Sequence, residues 1–179
     1  MIAALLVATV LAAGAPAPAQ APVILPNTTV SLRATTECCT TRYLHRSGET
    51  VTTRVVGAGS AAADKVNASW VVRPGLSDQS CVSFEARTSG GRFLRQQHYR
   101  LSVQPYDGTA RFDRDATFCP QPGRNGQGLS FASAAHPDRF LRHYRNKVFI
   151  AADGGPAPFD TARLWADDVS WVPERAWTP

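Results

Sequence analysis

RFLRHYRN, residues 139–146, restates a phrase that occurs twice earlier, as RYLHRSGE at 42–49 and RFLRQQHY at 92–99. Two further words travel with it. Upstream stand VSLRAT from Val30, VSFEAR from Val82 and LSFASA from Leu129; downstream come NASWVVRPG from Asn67, DATFCPQPG from Asp115 and DVSWVP from Asp168. The serines Ser31, Ser83 and Ser130 lie 52 and 47 residues apart, and the aromatic closers Trp70, Phe118 and Trp171 lie 48 and 53 apart. Order and interval both hold, so three copies of one unit fill the chain, at about 30–76, 81–123 and 128–173.

Each copy has the texture of short strands. Val82-Ser83-Phe84 and Leu101-Ser102-Val103 alternate apolar and polar residues, and Asp107-Gly108 and Gly154-Gly155 mark turns. No stretch keeps apolar residues at helical spacing for three turns, and thirteen prolines with thirteen glycines argue the same way. A unit of about four short strands cannot bury its own apolar face, so three such units must share one core. The expected fold is all-β, a closed barrel with pseudo-threefold symmetry, with Phe84, Phe93 and Phe118 among its core residues.

A chain of 179 residues, 44% hydrophobic, suits one domain. Its net charge of +5 comes from arginine, since only Lys65 and Lys147 are lysines. The arginines fall singly beside apolar residues, as at Arg42-Tyr43, Arg92-Phe93 and Arg139-Phe140, with no basic run to match a phosphate backbone, so nucleic acid is not an expected partner. They read as strand-flanking residues whose stems cover apolar surface while the guanidinium stays wet. A polysaccharide partner also suits arginine and aromatic surface.

Residues 1–19, MIAALLVATVLAAGAPAPA, are apolar from Ile2 to Ala13 and then small and Pro-rich, the form of a signal peptide. The apolar run is too short for a membrane span. Processing after Ala19 would leave Gln20 at the mature start of a secreted protein with no membrane contact, although no Lys or Arg precedes the run. Residues 20–29 read as a short linker ahead of a domain at 30–177. Secretion favours disulfides over metal or redox roles for the four cysteines. Cys81 and Cys119 close one repeat, a bridge worth about 4 kcal/mol on the chain-entropy account. Cys38 and Cys39, being adjacent, join as a vicinal disulfide, stay reduced or pair elsewhere.

The words VSFEAR, RFLRQ, FDRDATFCPQPG (112–123) and RFLRHY resemble the arabinose-binding (AbfB) domain at the C-terminus of α-L-arabinofuranosidase B, the family 42 carbohydrate-binding module. The resemblance covers essentially the whole mature chain, and the placement of Cys81 and Cys119 is similar to a cysteine pair of that family. It implies a monomeric β-trefoil that grips L-arabinofuranose side chains of hemicelluloses such as arabinoxylan or arabinan. It further implies a pocket in each lobe, built on a histidine from the Arg-aromatic-Leu phrase and a carboxylate from the Asp-Ala-Thr-Phe word. Carried over residue by residue, the third repeat supplies His143, Tyr144 and Asp168. The second supplies Asp115 with Gln96 in the histidine position and His98 two residues on. The first has Arg46 and Asn67 at these places and is expected to be silent, with His45 one residue out of step and facing away.

Each of these residues has a plainer reading. His143 suits a strand histidine bonded to the backbone, Asp115 and Asp168 suit turn caps, and Tyr144 suits packing. Hydrolysis of a furanoside would need two carboxylates facing each other across the bond. The four glutamates, Glu37, Glu49, Glu85 and Glu174, have no partner acid in a recurring word, and Asp115 and Asp168 belong to different lobes. Asp167 and Asp168 are neighbours, which on a strand face opposite ways. The chain by itself is therefore expected to bind sugar without cleaving it, and no motif for a metal or cofactor is present. A trefoil serving as a protein-interaction scaffold, and arabinofuranosidase activity itself, are the alternatives.

Overall fold

A computed structural model describes residues 23–178; the expected signal peptide and the start of the linker lie outside them. Among the described residues no helix is long and apolar enough to cross a membrane. The fold is all-β, with twelve strands in one sheet. The first repeat forms β1 (Thr29–Ala34), β2 (Arg42–Ser47), β3 (Thr50–Val55) and β4 (Trp70–Pro74). The second forms β5 (Val82–Ala86), β6 (Arg92–Gln97), β7 (Arg100–Pro105) and β8 (Phe118–Pro122), and the third β9 (Leu129–Ser133), β10 (Phe140–Tyr144), β11 (Lys147–Ala151) and β12 (Ser170–Arg175). A short helix precedes the last strand of each repeat: α1 (Ala62–Asn67), α2 (Ala110–Asp115) and α3 (Trp165–Asp168). At four to six residues these helices are too short to show a period in sequence, which is why the reading above lacks them.

Pairing recurs with the repeats. The outer strands form a ring, β1–β4–β5–β8–β9–β12, that closes from β12 back onto β1. The middle strands of each repeat form the hairpins β2–β3, β6–β7 and β10–β11, and β3, β7 and β11 pair with one another to close one end. A closed ring leaves no free edge for another chain to extend. At the β6–β7 and β10–β11 turns, His98-Tyr99 and Arg145-Asn146 take left-handed backbone conformations, the geometry that matches a two-residue turn to the twist of its strands.

The repeated words fill repeated places in the core. Leu32, Phe84 and Phe131 meet Trp70, Phe118 and Trp171 in one fully buried cluster, where the rings of Phe84 and Phe131 stand edge to face at 5.3 Å. Leu44, Leu94 and Leu141 join the same cluster. Trp70 Nε1 donates to the Leu44 carbonyl at 3.0 Å and Trp171 Nε1 to the Leu141 carbonyl at 2.9 Å, so each indole buries its ring without stranding its N–H. Phe93 packs instead under α2 with Phe112 and Ala116.

The recurring serines have a shared task. Ser31, Ser83 and Ser130 are fully buried, and their hydroxyls accept from the backbone N–H groups of Trp177, Leu76 and Arg124, fixing the chain as it leaves each fourth strand. Cys81 and Cys119 are bridged, and Cys38 and Cys39 form the vicinal disulfide. From Ile24, which is buried in the main core, the stretch read as linker is tied to the domain: Asn27 N–H donates to the Val72 carbonyl at 2.7 Å and Val72 N–H to the Thr28 carbonyl at 2.8 Å.

The structure corrects the reading of the arginines. Arg139, Arg142 and Arg95 do not keep wet heads but bury their guanidinium groups in ion pairs with Asp160, Asp168 and Asp115. The sequence shows where these arginines fall but not which carboxylate the chain brings back to meet each one.

Candidate functional site

The position of each acidic residue follows from the word it opens. Asp115 and Asp168 do not open turns; each is the last residue of its short helix. The hydroxyl two residues on, Thr117 or Ser170, donates to the carbonyl four residues behind it (Asp113 at 2.7 Å, Ala166 at 2.7 Å), and the aromatic residue after that enters the core. The helix end is thereby held to the barrel and the carboxylate is aimed at the hairpin of the same repeat.

In the third repeat this aim brings Asp168 and His143 together. Thr36, from the turn after β1, completes the set: its hydroxyl donates to Asp168 Oδ1 at 2.8 Å and stands 2.9 Å from His143 Nε2, which is itself 3.6 Å from Asp168 Oδ1. The hydroxyl has one proton, spent on the carboxylate, so Nε2 carries the imidazole proton and donates to Thr36 Oγ1, leaving the Nδ1 lone pair as an acceptor. Beneath the carboxylate lies Arg142, whose side chain is 0% exposed. Its Nε and Nη2 donate to Asp168 Oδ2 at 3.3 and 2.9 Å, and its remaining protons go to the carbonyls of Phe159, Thr161 and Arg163. Every guanidinium nitrogen is satisfied, as a buried cation requires. Tyr144, Arg145, Leu164 and the Cys38–Cys39 bridge line the rest of a cleft of about 470 Å³.

The second repeat builds a second cleft, also about 470 Å³. Asp115 accepts from Arg95 Nη2 at 3.3 Å and from Gln96 Nε2, while Gln96 Oε1 accepts from the Tyr99 N–H at 3.2 Å. Both ends of the amide are thus assigned, and Gln96 occupies the place of His143. His98, Arg111, Arg114 and His136 line this cleft, and Ala135 stands where the third repeat's cleft has Thr36. In the first repeat Arg46 takes the histidine place and donates to Thr88 Oγ1 at 2.6 Å and Ser89 Oγ at 3.3 Å, both from the turn after β5. His45 takes the place of the buried arginine; it is 1% exposed, and its Nε2 lies 3.4 Å from Asp64 without a hydrogen bond.

Sequence reading missed Arg142, Arg95, Thr36 and the disulfide wall. The arginines carried a signal, the shared Leu-Arg step of two phrases. Thr36 and the bridge carried none, because they come from the first repeat and reach the third only through ring closure.

Burial holds the pKa of His143 below its ordinary value; the Asp168 charge opposes this and Arg142 and Arg42 reinforce it. His45 is lowered for the same first reason, with Arg54 adding to it. Both imidazoles are therefore neutral in the fold at pH values where the unfolded chain, titrating near 6.5, already takes up protons. Their contribution is complete above about pH 6.5 and is lost as pH falls below it, at no more than about 1.4 kcal/mol per pH unit for each histidine. Urea midpoints at pH 7 and pH 5 test this: the wild type should lose stability on acidification, and His45→Gln with His143→Gln should flatten the slope. Equal slopes in both proteins would remove these histidines as its source.

The two clefts of this closed all-β scaffold are lined by carboxylate, imidazole and amide groups that can exchange hydrogen bonds with hydroxyls. The chain belongs to the alpha-L-arabinofuranosidase B (ABFB) domain family, whose signature matches residues 32–173. It is 48% identical over 151 residues to a probable alpha-L-arabinofuranosidase B of Aspergillus clavatus, covering 84% of this chain but 30% of that protein. It superposes with a TM-score of 0.87 and 39% identity on an arabinofuranosidase complexed with arabinofuranosyl-alpha-1,2-xylobiose, covering 89% of this chain and 33% of the other. A BEL beta-trefoil is similar in fold at a TM-score of 0.57 and 15% identity, covering 87% of this chain and 97% of that one. The chain thus spans less than a third of the arabinofuranosidases that it matches.

Proposed function

We propose that the chain is a β-trefoil of three repeats that binds L-arabinofuranose side chains of hemicellulose, such as those of arabinoxylan or arabinan, through the cleft of its third repeat, and does so outside the cell without hydrolysing them. The observation that carries the reading is the meeting of His143 and Asp168 over Thr36. A furanose tip offers hydroxyls at fixed angles; the lone pair left on Asp168 Oδ1 and the Nδ1 of His143 accept from them, while the Cys38–Cys39 bridge, Leu164 and Tyr144 face its carbon edges. The threefold recurrence of strand pairing and the likeness to a named trefoil support the fold. The names of the arabinofuranosidase relatives support the sugar, and the apolar N-terminal stretch supports export.

Each of the two clefts holds one carboxylate, Asp115 or Asp168, and each carboxylate is tied to a buried arginine. Glycoside hydrolysis in its usual form uses two, roughly 5 to 10 Å apart on either side of the bond. The second cleft has Gln96 at the place of His143 and Ala135 at that of Thr36, and adds little to arabinofuranose binding. The first repeat, with Arg46 at the histidine place, adds none.

Affinity electrophoresis through arabinoxylan tests the proposal. The wild type should be retarded, and methyl α-L-arabinofuranoside but not xylose should relieve the retardation. At one hundred times its dissociation constant the methyl glycoside should also raise stability by about 2.7 kcal/mol. Unretarded wild type would leave the trefoil as a scaffold without sugar binding, and release of p-nitrophenol from its arabinofuranoside would show that it hydrolyses.

A further inference from the structure

We propose that the cleft of the second repeat is a site for a carboxylated sugar, the uronic acid unit of an acidic polysaccharide. This stands apart from the arabinofuranose reading, which concerns the other cleft. The two clefts share a floor, a carboxylate held by a buried arginine beside an N–H donor, and differ in their walls. Four residues before the carboxylate the third repeat has Leu164 and the second has Arg111. The turn after β1 offers Thr36 and the Cys38–Cys39 bridge to the third cleft; the turn after β9 offers Ala135 and His136 to the second.

Asp115 pairs with Arg95, whose side chain is 8% exposed and whose Nη1 also lies 3.6 Å from Asp107. Arg111, with Nε 3.6 Å from the same carboxylate, is therefore a second guanidinium on one anion. Arg114, three residues on and on the same helix face, is exposed and lines the cleft, while its backbone carbonyl accepts from the Thr117 N–H at 3.4 Å. Arginine also lines the third cleft, as Arg145 and Arg163, but there the Arg145 guanidinium lies 5.3 Å from the Tyr144 ring centroid, Leu164 fills the place next to the carboxylate, and Asp168 pairs with the buried Arg142 and with His143 instead.

A surplus of forked donors beside a sugar-sized cleft matches a carboxylate, which a guanidinium holds by two parallel hydrogen bonds. Asp115 and the free amide proton of Gln96 remain for ring hydroxyls. The His136 and Tyr99 rings, edge to face at 5.2 Å, give the carbon face of a pyranose a surface.

Titrations followed by backbone amide NMR at low salt, using galacturonate, glucuronate, methyl glucoside and acetate as probes, test the site. At least one uronate should bind, shift amides around Asp115 and Tyr99, and weaken as salt rises. Methyl glucoside and acetate should bind at least tenfold more weakly. Arg111→Ala with Arg114→Ala, both exposed and outside the core, should cost the uronate at least tenfold and leave methyl α-L-arabinofuranoside binding unchanged. His143→Ala should do the reverse. Uronates that bind no better than methyl glucoside or acetate, or uronate binding that survives loss of both arginines, would overturn the assignment whether or not the arabinoside binds.

Discussion

Asp168→Ala should abolish retardation by arabinoxylan and also cost the domain about 3–5 kcal/mol, because it leaves the fully buried Arg142 guanidinium without its counter-charge. For a domain of this size that is a fall in melting temperature of roughly 10 °C. The carboxylate serves two masters: Oδ2 answers Arg142, and Oδ1 takes the Thr36 hydroxyl at the cleft. Removing both partners separates the roles. Asp168→Ala with Arg142→Leu should recover much of the lost stability, since no buried charge is then stranded, yet remain unretarded in the gel. A single Asp168→Ala that melts with the wild type would mean that Arg142 finds water or another acceptor, and the account of a clamped carboxylate would fall.

Why the meeting of Asp168 with His143 was legible and the clamp on Asp168 was not follows from what a repeat displays. Three copies of a word mark positions, so the strands, the core aromatics and the acidic residues of the second and third lobes stood out. Partners drawn from a different copy have no such mark. Thr36 lies 107 residues from His143 and reaches it only because β1 pairs with β12 to close the ring. The helical turn that carries Asp168 spans four residues and leaves no period to read. The arginines misled for a related reason: a lone arginine beside an aromatic residue looks the same whether its head meets water or, like Arg139, a carboxylate 21 residues on. The departures of the first repeat were readable as substitutions, Arg46 and Asn67. Their effect, Arg46 bonding to Thr88 and Ser89, needed the neighbouring repeat in place.

His143→Ala should weaken arabinofuranoside binding by about 10- to 150-fold, the loss expected when one hydrogen-bonding partner of a charged polar set is removed from a desolvated cleft. Retardation in the gel would then disappear. Unlike Asp168→Ala it strands no buried charge: Thr36 keeps its bond to Asp168, and Arg142 keeps the carboxylate. What it leaves is a void against the Trp171 ring, now 5.5 Å from the imidazole, so some loss of stability accompanies it. His143→Gln separates the two effects. The second repeat already carries glutamine at this place, bonded to its aspartate and accepting the Tyr99 N–H, so the fold tolerates the amide there. The glutamine variant should melt close to the wild type and bind arabinofuranoside between the wild type and the alanine variant, because an amide restores a donor towards Thr36 but sets its oxygen at a different angle from Nδ1. If both variants bind as tightly as the wild type, the third cleft is not where the arabinofuranose sits; if glutamine binds no better than alanine while melting normally, the acceptor at Nδ1 rather than the donor at Nε2 is what the sugar reads.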